Sequence, residues 1–292
     1  MKPLTLDTRL LGTITSPHMA IPLEDTFQDI IGKAMRGLKL SPSELATRAD
    51  VAVERVQQLH DGTFDEATAR SIAPALELDA DALVAYAAGK WQPEAISVAG
   101  LAQFNTAFDD MTVNAYLVWD PESKAAAAFD SGGDAGEMLA RVESEGLKLG
   151  TIFLTHTHGD HIFDLDRMLE KTHAQAYVSN HEPLKGAEPF SAGRSFQIGA
   201  LQVESRLTWG HSKGGITYVI TGLARPVAIV GDAIFAGSMG GGGVSYADAI
   251  RTNCEEILTL PENTVLCPGH GPMTTVAEEK KNNPFFASRR MR

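Results

Sequence analysis

The sequence predicts a mixed α/β (α+β) fold that is preceded by a small all-α region. Three observations indicate this organisation. Apolar residues recur at helical spacing up to about residue 90, short β-rich runs alternate with helical stretches after Pro93, and a histidine-rich segment directly follows one of those runs. We therefore divide the chain into an N-terminal arm (1–23), a helical domain (24–92) and a larger α/β domain (93–292).

Composition and charge restrict the class of protein. The 292 residues are 43% hydrophobic and 21% charged, which is typical of a globular chain. The net charge of −12 disfavours nucleic acid as a partner, because an acidic protein repels phosphate backbones. The two cysteines, Cys254 and Cys267, form no C-x-x-C pair, which favours a reducing, cytoplasmic environment.

Membrane association is not expected from the sequence. No apolar run approaches the roughly 18 residues that a membrane-spanning helix requires. Charged residues interrupt the N-terminus too early for a signal peptide.

The helical domain begins with an amphipathic helix and continues with short capped helices. One apolar helix face is formed by Phe27, Ile30, Ile31, Ala34, Met35 and Leu38. Next, Ser41-Pro42-Ser43-Glu44 predicts a capping box, in which the serine and glutamate side chains satisfy backbone donors of a second helix that ends near Asp50. Further helices are predicted at 53–60, 66–76 and 81–88.

The second and third of these helices resemble the helix-turn-helix domain of phage-repressor-type regulators. The resemblance rests on Leu45-Ala46, Val51, Val56 and Gly62. A DNA reader needs a basic face, but residues 25–90 contain seven basic and eleven acidic residues, a net charge of −4. We therefore favour packing over operator binding. We expect Phe27, Ile31 and Leu38 to pack against the larger domain or against a second subunit in a homodimer.

The larger domain alternates strands and helices. Strands are predicted at 113–119, 125–129, 151–155, 175–178, 201–206, 216–220, 227–230 and 264–267, with helices at 135–145, 165–170 and 246–260.

The segment with the strongest chemical signal is Thr155-His156-Thr157-His158-Gly159-Asp160-His161. It places three imidazoles and a carboxylate within six residues, directly after an apolar strand. Such groups would be costly to bury in a core without partners, whereas imidazole and carboxylate together suit divalent ions such as zinc. Gly159 allows the sharp turn that directs residues on both sides toward one point.

This segment has the T-H-x-H-x-D-H signature of the metallo-β-lactamase superfamily, and three later motifs resemble that family in the same order. They are Gly210-His211-Ser212, the segment from Gly231-Asp232 to Gly237-Ser238, and Pro268-Gly269-His270-Gly271-Pro272. The tail that ends in Asn283-Pro284-Phe285-Phe286 resembles the glyoxalase II-like branch. The resemblance implies a four-layer αββα sandwich.

The resemblance also implies two divalent metal ions, with zinc favoured and iron or manganese as alternatives. One ion would be held by His156, His158 and His211, a second by Asp160, His161 and His270, with Asp232 bridging both. Two such ions about 3.5–4 Å apart can generate a bridging hydroxide at neutral pH and polarise the bond under attack. Asp160 is the candidate catalytic residue that orients the attacking water and accepts its proton.

The implied activity is hydrolysis of a small-molecule thioester or ester, as in hydroxyacylglutathione hydrolases. Two alternatives remain open. Persulfide dioxygenases share these motifs but hold one iron and use oxygen, and a DNA-binding regulator could use the metal domain as a sensor.

Charge near the site restricts the substrate. The segment from Ser238 to Val244 contains four consecutive glycines, which predict a mobile loop, and no basic residue. Lys213 is the only nearby cation in the sequence. Because glutathione carries two carboxylates, we expect a smaller or less charged substrate to be preferred.

Overall fold

The structure is a computed structural model that describes residues 21–289. The predicted N-terminal arm therefore lies outside the described residues, apart from residues 21–23. Five helices follow: α1 (Phe27–Gly37), α2 (Pro42–Ala49), α3 (Val53–His60), α4 (Glu66–Ile72) and α5 (Ala80–Ala87), with a 3₁₀ turn at Pro74–Leu76 between α4 and α5. All five lie where the sequence predicts helices. The helix predicted at 66–76 ends as α4 at Ile72, because Pro74 has no backbone N–H to continue the α-helical hydrogen bonds.

Local capping explains where the first helices begin. The predicted capping box at Ser41 is confirmed, because Ser41 accepts a hydrogen bond from the backbone of Glu44, and Glu44 accepts one from the backbone of Ser41. Thr26 and Asp29 form the same arrangement before α1. Asp50 ends α2 in the left-handed conformation at φ 53°. The likeness of α2 and α3 to a helix-turn-helix domain stays a prediction.

Within residues 21–289, twelve strands form two six-stranded sheets. The first sheet contains, in spatial order, β1 (Leu101–Phe108), β2 (Met111–Trp119), β3 (Ala125–Phe129), β4 (Lys148–Phe153), β5 (Gln175–Ser179) and β6 (Ala187–Phe190). The second sheet contains, in spatial order, β12 (Thr274–Thr275), β11 (Val265–Pro268), β10 (Val227–Gly231), β9 (Ile216–Thr221), β8 (Leu201–Leu207) and β7 (Ser195–Ile198). Both sheets mix parallel and antiparallel pairs.

Helices cover the outer faces of both sheets. They are α6 (Gly136–Ser144), α7 (Gly159–Ile162), α8 (Leu165–Thr172), α9 (Tyr246–Thr252) and α10 (Val276–Asn282), and a π-helical segment, Asn253–Ile257, continues α9. One core cluster lies between the sheets and includes Phe129, Phe153 and Tyr218. A second packs the first sheet against α6 and α8 through Met138 and Met168. The predicted fold class, an αββα sandwich preceded by helices, is confirmed.

A third core cluster joins the N-terminal helices to the second sheet. It contains Ile31 from α1 together with Val230, Tyr246 and Phe286, and Phe27 and Leu38 pack against it. The predicted apolar face of α1 is therefore covered within this chain, while a homodimer stays a prediction. No helix among residues 21–289 is long and apolar enough to cross a membrane.

Candidate metal centre

Strand ends from both sheets meet at one edge, and polar side chains follow them. In the first sheet, β3 and β4 run parallel, so Asp130 and His156 follow their carboxyl ends side by side. In the second sheet, β10 and β11 run parallel, and Asp232 and His270 follow them in the same way. His211 follows β8. Residues distant in sequence therefore converge on one point.

All seven sequence-predicted metal ligands lie at this edge, in two groups. The ligand atoms within each group lie within 4.8 Å of one another. The first group is His156, His158, His211 and Asp232, and the second is Asp160, His161 and His270. The grouping matches the one that the family resemblance implies.

The Asp232 carboxylate lies between the two groups. Its Oδ2 atom is 3.3 Å from His211 Nε2 in the first group and 3.5 Å from His270 Nε2 in the second. Its Oδ1 atom is 3.2 Å from His161 Nε2. Asp160 Oδ2 completes the second group at 3.2 Å from His270 Nε2. Asp232 is thus placed to contact ions at both positions.

Hydrogen bonds behind the rings fix which nitrogen faces the site. His270 Nδ1 lies 2.7 Å from the Thr112 carbonyl oxygen, and His211 Nδ1 lies 3.0 Å from that of Gly241. A carbonyl can only accept, so both Nδ1 atoms carry a proton and both Nε2 atoms are directed at the site. Partners of this kind orient metal-binding histidines.

Asp130 is the functional residue that the sequence analysis missed. Its buried carboxylate accepts hydrogen bonds from the backbone and hydroxyl of Thr155 at 2.8 and 2.7 Å, and it lies 2.8 Å from His161 Nδ1. Asp130 thereby orients the His161 ring and anchors the start of the histidine motif. The signal in the sequence is its position directly after the strand predicted at 125–129.

The electrostatics of the centre favour added positive charge. Burial lowers the pKa of His161 and His270, but the surrounding carboxylates together outweigh it. Asp232 acts with Asp130 on His161 and with Asp160 and Glu24 on His270, and they raise the pKa values to about 10 and about 11. Burial and the neighbouring His161 hold the pKa of His156 well below its usual value. Although burial opposes ionisation of Asp232, His161 and His270 hold its pKa well below the usual range. The carboxylates therefore attract protons to the rings in positions that a cation would take.

Two further observations fit a metal ion at this position. His161 Nε2 and Asp232 Oδ1 are buried and have no hydrogen-bond partner, which is costly for polar atoms. A Cβ atom at Gly269 would lie 2.1 Å from Asp232 Oδ1, so only glycine leaves this space open. Imidazole and carboxylate are also the donors that zinc and similar ions prefer.

The loop after Asp232 differs from the mobile segment that its glycines predicted. Its first half is buried, with Ser238 fully buried and Met239 1% exposed. Lys33 of α1 donates to the Met239 carbonyl at 2.8 Å, and the Ser238 hydroxyl donates to Asp25. Contacts with distant parts of the chain thus hold the loop, including the region that supplies the Gly241 carbonyl to His211.

Comparison with known proteins agrees with this architecture. The profile of the metallo-beta-lactamase superfamily matches residues 108–270, which begin in β1 and end at the last predicted ligand. The chain belongs to the metallo-beta-lactamase superfamily. It is 31% identical over 199 residues to a probable metallo-hydrolase of Streptococcus pyogenes, an alignment that covers 59% of this chain and 84% of the relative.

Two other matches bear on chemistry. The hydroxyacylglutathione hydrolase GloC of Haemophilus influenzae is 28% identical over 204 residues, covering 60% of this chain and 93% of the relative. The crystal structure of TTHA1623 in a di-iron-bound form matches with a TM-score of 0.52 and 26% identity, covering 63% of this chain and 100% of that chain. The helices before residue 93 lie outside the superfamily match.

Proposed function

We propose that this metallo-hydrolase-like chain hydrolyses small-molecule thioesters or esters with two divalent metal ions, of which zinc is favoured. The observation that carries the proposal is the position of Asp232, whose two oxygens lie within 3.5 Å of ring nitrogens from both groups. In this position one side chain could contact an ion in each group. Iron and manganese are the alternative ions, and the di-iron relative supports two occupied positions.

The predicted ligands form two groups, one for each ion. His156, His158 and His211 would hold one ion, and Asp160, His161 and His270 the other, with Asp232 shared. When bound, two such ions supply an activated water and polarise the carbonyl group of the substrate. The remaining steps belong to side chains of this chain.

Asp160 is the proposed catalytic residue. Burial opposes its ionisation, but its hydrogen bond with His270 holds the pKa of the carboxyl below its usual value, so it is a carboxylate at neutral pH. Its side chain is 14% exposed and can reach a water molecule at the mouth of the site. We propose that it orients this water and accepts its proton as the water oxygen bonds to the carbonyl carbon. The C–S or C–O bond then breaks, and Asp160 returns the proton to the leaving sulfur or oxygen, which departs as a thiol or alcohol.

The similarity to GloC supports thioesters as the first substrates to test. The experiment combines metal analysis of the purified protein with hydrolysis of a panel of thioesters, lactones and phosphoesters. We expect about two metal ions per chain and turnover of thioesters. Asp232→Ala should lose metal at both positions and abolish turnover, whereas Asp61→Ala, at a carboxylate that is 79% exposed, should change neither.

Two results would contradict the proposal. One is an Asp232→Ala protein with unchanged metal content and rate. The other is a chain that holds one iron and consumes oxygen with a persulfide, since this would favour the dioxygenase alternative.

A further inference from the structure

The described residues expose only three large apolar side chains. Met111 is 44% exposed, Phe163 67% and Val244 45%. Scattered apolar residues on a surface are ordinary, but a group of them around one opening indicates a binding site. All three belong to segments that contact the metal centre.

Met111 and Phe163 flank the second ligand group. Met111 opens β2 and precedes Thr112, whose carbonyl accepts the hydrogen bond from His270. Phe163 follows His161 by two residues, directly after α7. Met111 is therefore adjacent in sequence to a residue that hydrogen-bonds a predicted ligand, and Phe163 lies two residues from another.

An aromatic pair joins these two segments. Phe108, at the end of β1, packs edge-to-face on Phe163 with ring centroids 5.3 Å apart. The Phe108 ring also lies 3.8 Å from the position that a Cβ atom would take at Gly159. Apolar surface thus reaches the exposed start of α7, between the ligands His158 and Asp160.

Val244 lies on the side of the first ligand group. It follows by three residues Gly241, whose carbonyl accepts from His211. Its backbone N–H donates to the Gly210 carbonyl at 3.0 Å, which holds the residue next to the His211 segment. Exposed apolar residues therefore occur in segments that adjoin both ligand groups.

The charges near these apolar residues disfavour an anionic substrate. Asp109 and Asp110 are exposed at the turn between Phe108 and Met111. The ammonium group of Lys33 is paired with Asp25 and is only 13% exposed. Among the described residues near the ligands, Lys213 is exposed, but its backbone N–H is held by the Glu182 carboxylate at 2.7 Å, which places a negative charge beside it.

We propose that Met111, Phe163 and Val244 bind the acyl group of the substrate, and that this group is an uncharged hydrocarbon chain of several carbons. This inference rests on the proposed hydrolase function and names its substrate class. Each added methylene group that contacts these apolar side chains should strengthen binding, because it is removed from water. The acidic turn at Asp109 and Asp110 repels a group with two carboxylates, such as glutathione.

The test is a series of acetyl, butanoyl, hexanoyl and octanoyl thioesters of one neutral thiol, compared with lactoylglutathione, on the metal-loaded protein. We expect kcat/KM to rise about twofold per methylene up to hexanoyl, half of the factor expected for complete burial. Lactoylglutathione should be a poorer substrate than the hexanoyl thioester.

The variant Phe163→Ser should lower kcat/KM for the hexanoyl thioester about tenfold and leave the acetyl thioester within about twofold. Its metal content should equal that of the unchanged protein. Val53→Ser, at a partly exposed valine in α3, is the matched control and should alter neither substrate.

The outcomes separate the two proposals. Hydrolysis without dependence on chain length, or a preference for lactoylglutathione, would overturn the acyl-binding inference alone. Absence of hydrolysis across the whole series would overturn the proposed function, and the inference with it.

Discussion

Lys33 and Asp25 form an ion pair, and both contact the loop after Asp232. Breaking the pair should lower the stability of the fold and the affinity of the site for metal. The two side chains are 13% and 8% exposed. Lys33 also donates to the Met239 carbonyl and lies 4.9 Å above the Phe235 ring. The informative change is Lys33→Met, because methionine keeps most of the side-chain volume and removes the charge and the donors.

The expected loss follows from what this variant leaves behind. Asp25 would keep the Ser238 hydroxyl as a donor but would lose its cation. Removing one partner of a buried pair typically costs about 3–5 kcal/mol, because the other charge stays buried without compensation. Asp25 is slightly exposed, so we expect the lower value, about 3 kcal/mol. For a chain of this size that corresponds to a melting temperature lower by about 6–12 °C.

The assay is urea unfolding of the metal-loaded protein, with metal affinity as a second readout. Metal affinity should fall about tenfold, the lower end of the range for outer-shell partners, because the loop that supplies the Gly241 carbonyl to His211 loses an anchor. The double variant Lys33→Met, Asp25→Asn should be less destabilised than the sum of the single variants, since it leaves no unpaired charge.

The control is Lys280→Met at an exposed pair, where Lys280 lies 3.4 Å from Glu262 and the side chains are 33% and 74% exposed. It should cost less than about 1 kcal/mol. A Lys33→Met protein that loses no more stability than Lys280→Met, and binds metal normally, would refute this account of the loop.

Two further predictions concern buried carboxyl groups. Asp130→Asn should lower metal affinity about 10–100-fold without removing a predicted ligand, because the amide no longer fixes the His161 ring. Calorimetric titration with metal measures this loss, and Asp61→Asn is the control. The usual pKa of a glutamate side chain is 4.5. Burial raises the pKa of Glu279 to about 8, although three hydrogen bonds act to lower it. The folded state therefore binds this proton more tightly than the unfolded state, so the free energy of unfolding should fall by about 2 kcal/mol from pH 6 to pH 8. Urea unfolding at both pH values measures this decrease, which the Glu279→Gln variant should lack.

Local patterns in the sequence were sufficient for most elements. The Ser41–Glu44 capping box acts within one turn of helix, so four residues predict where α2 begins. The strand predicted at 125–129 agrees with β3 because that run is almost wholly buried and bounded by turn residues. The predicted ligand motifs are similarly local, and the family resemblance that they carry implies the two groups in which these side chains lie.

Elements that depend on distant partners were not predicted. They include β1, in which only one position is buried and in which apolar and polar residues do not alternate, and the short edge strands β6, β7 and β12. Such strands are specified by pairing with a neighbour more than by their own pattern. The same applies to Asp130, whose role depends on Thr155 and His161, about 25 and 31 residues away.

The loop after Asp232 shows how distant contacts reverse a local prediction. Four consecutive glycines indicate freedom when they are considered alone. In the fold, Gly240 lies so close to the Asp232 carbonyl oxygen that a Cβ atom there would be 1.9 Å from it, so the residue is needed for close packing. Asn283 of the C-terminal segment also donates to the Ser238 carbonyl at 2.7 Å. The helical region and the C-terminal residues thus hold the segment that follows Asp232, so both support the position of the proposed bridging carboxylate.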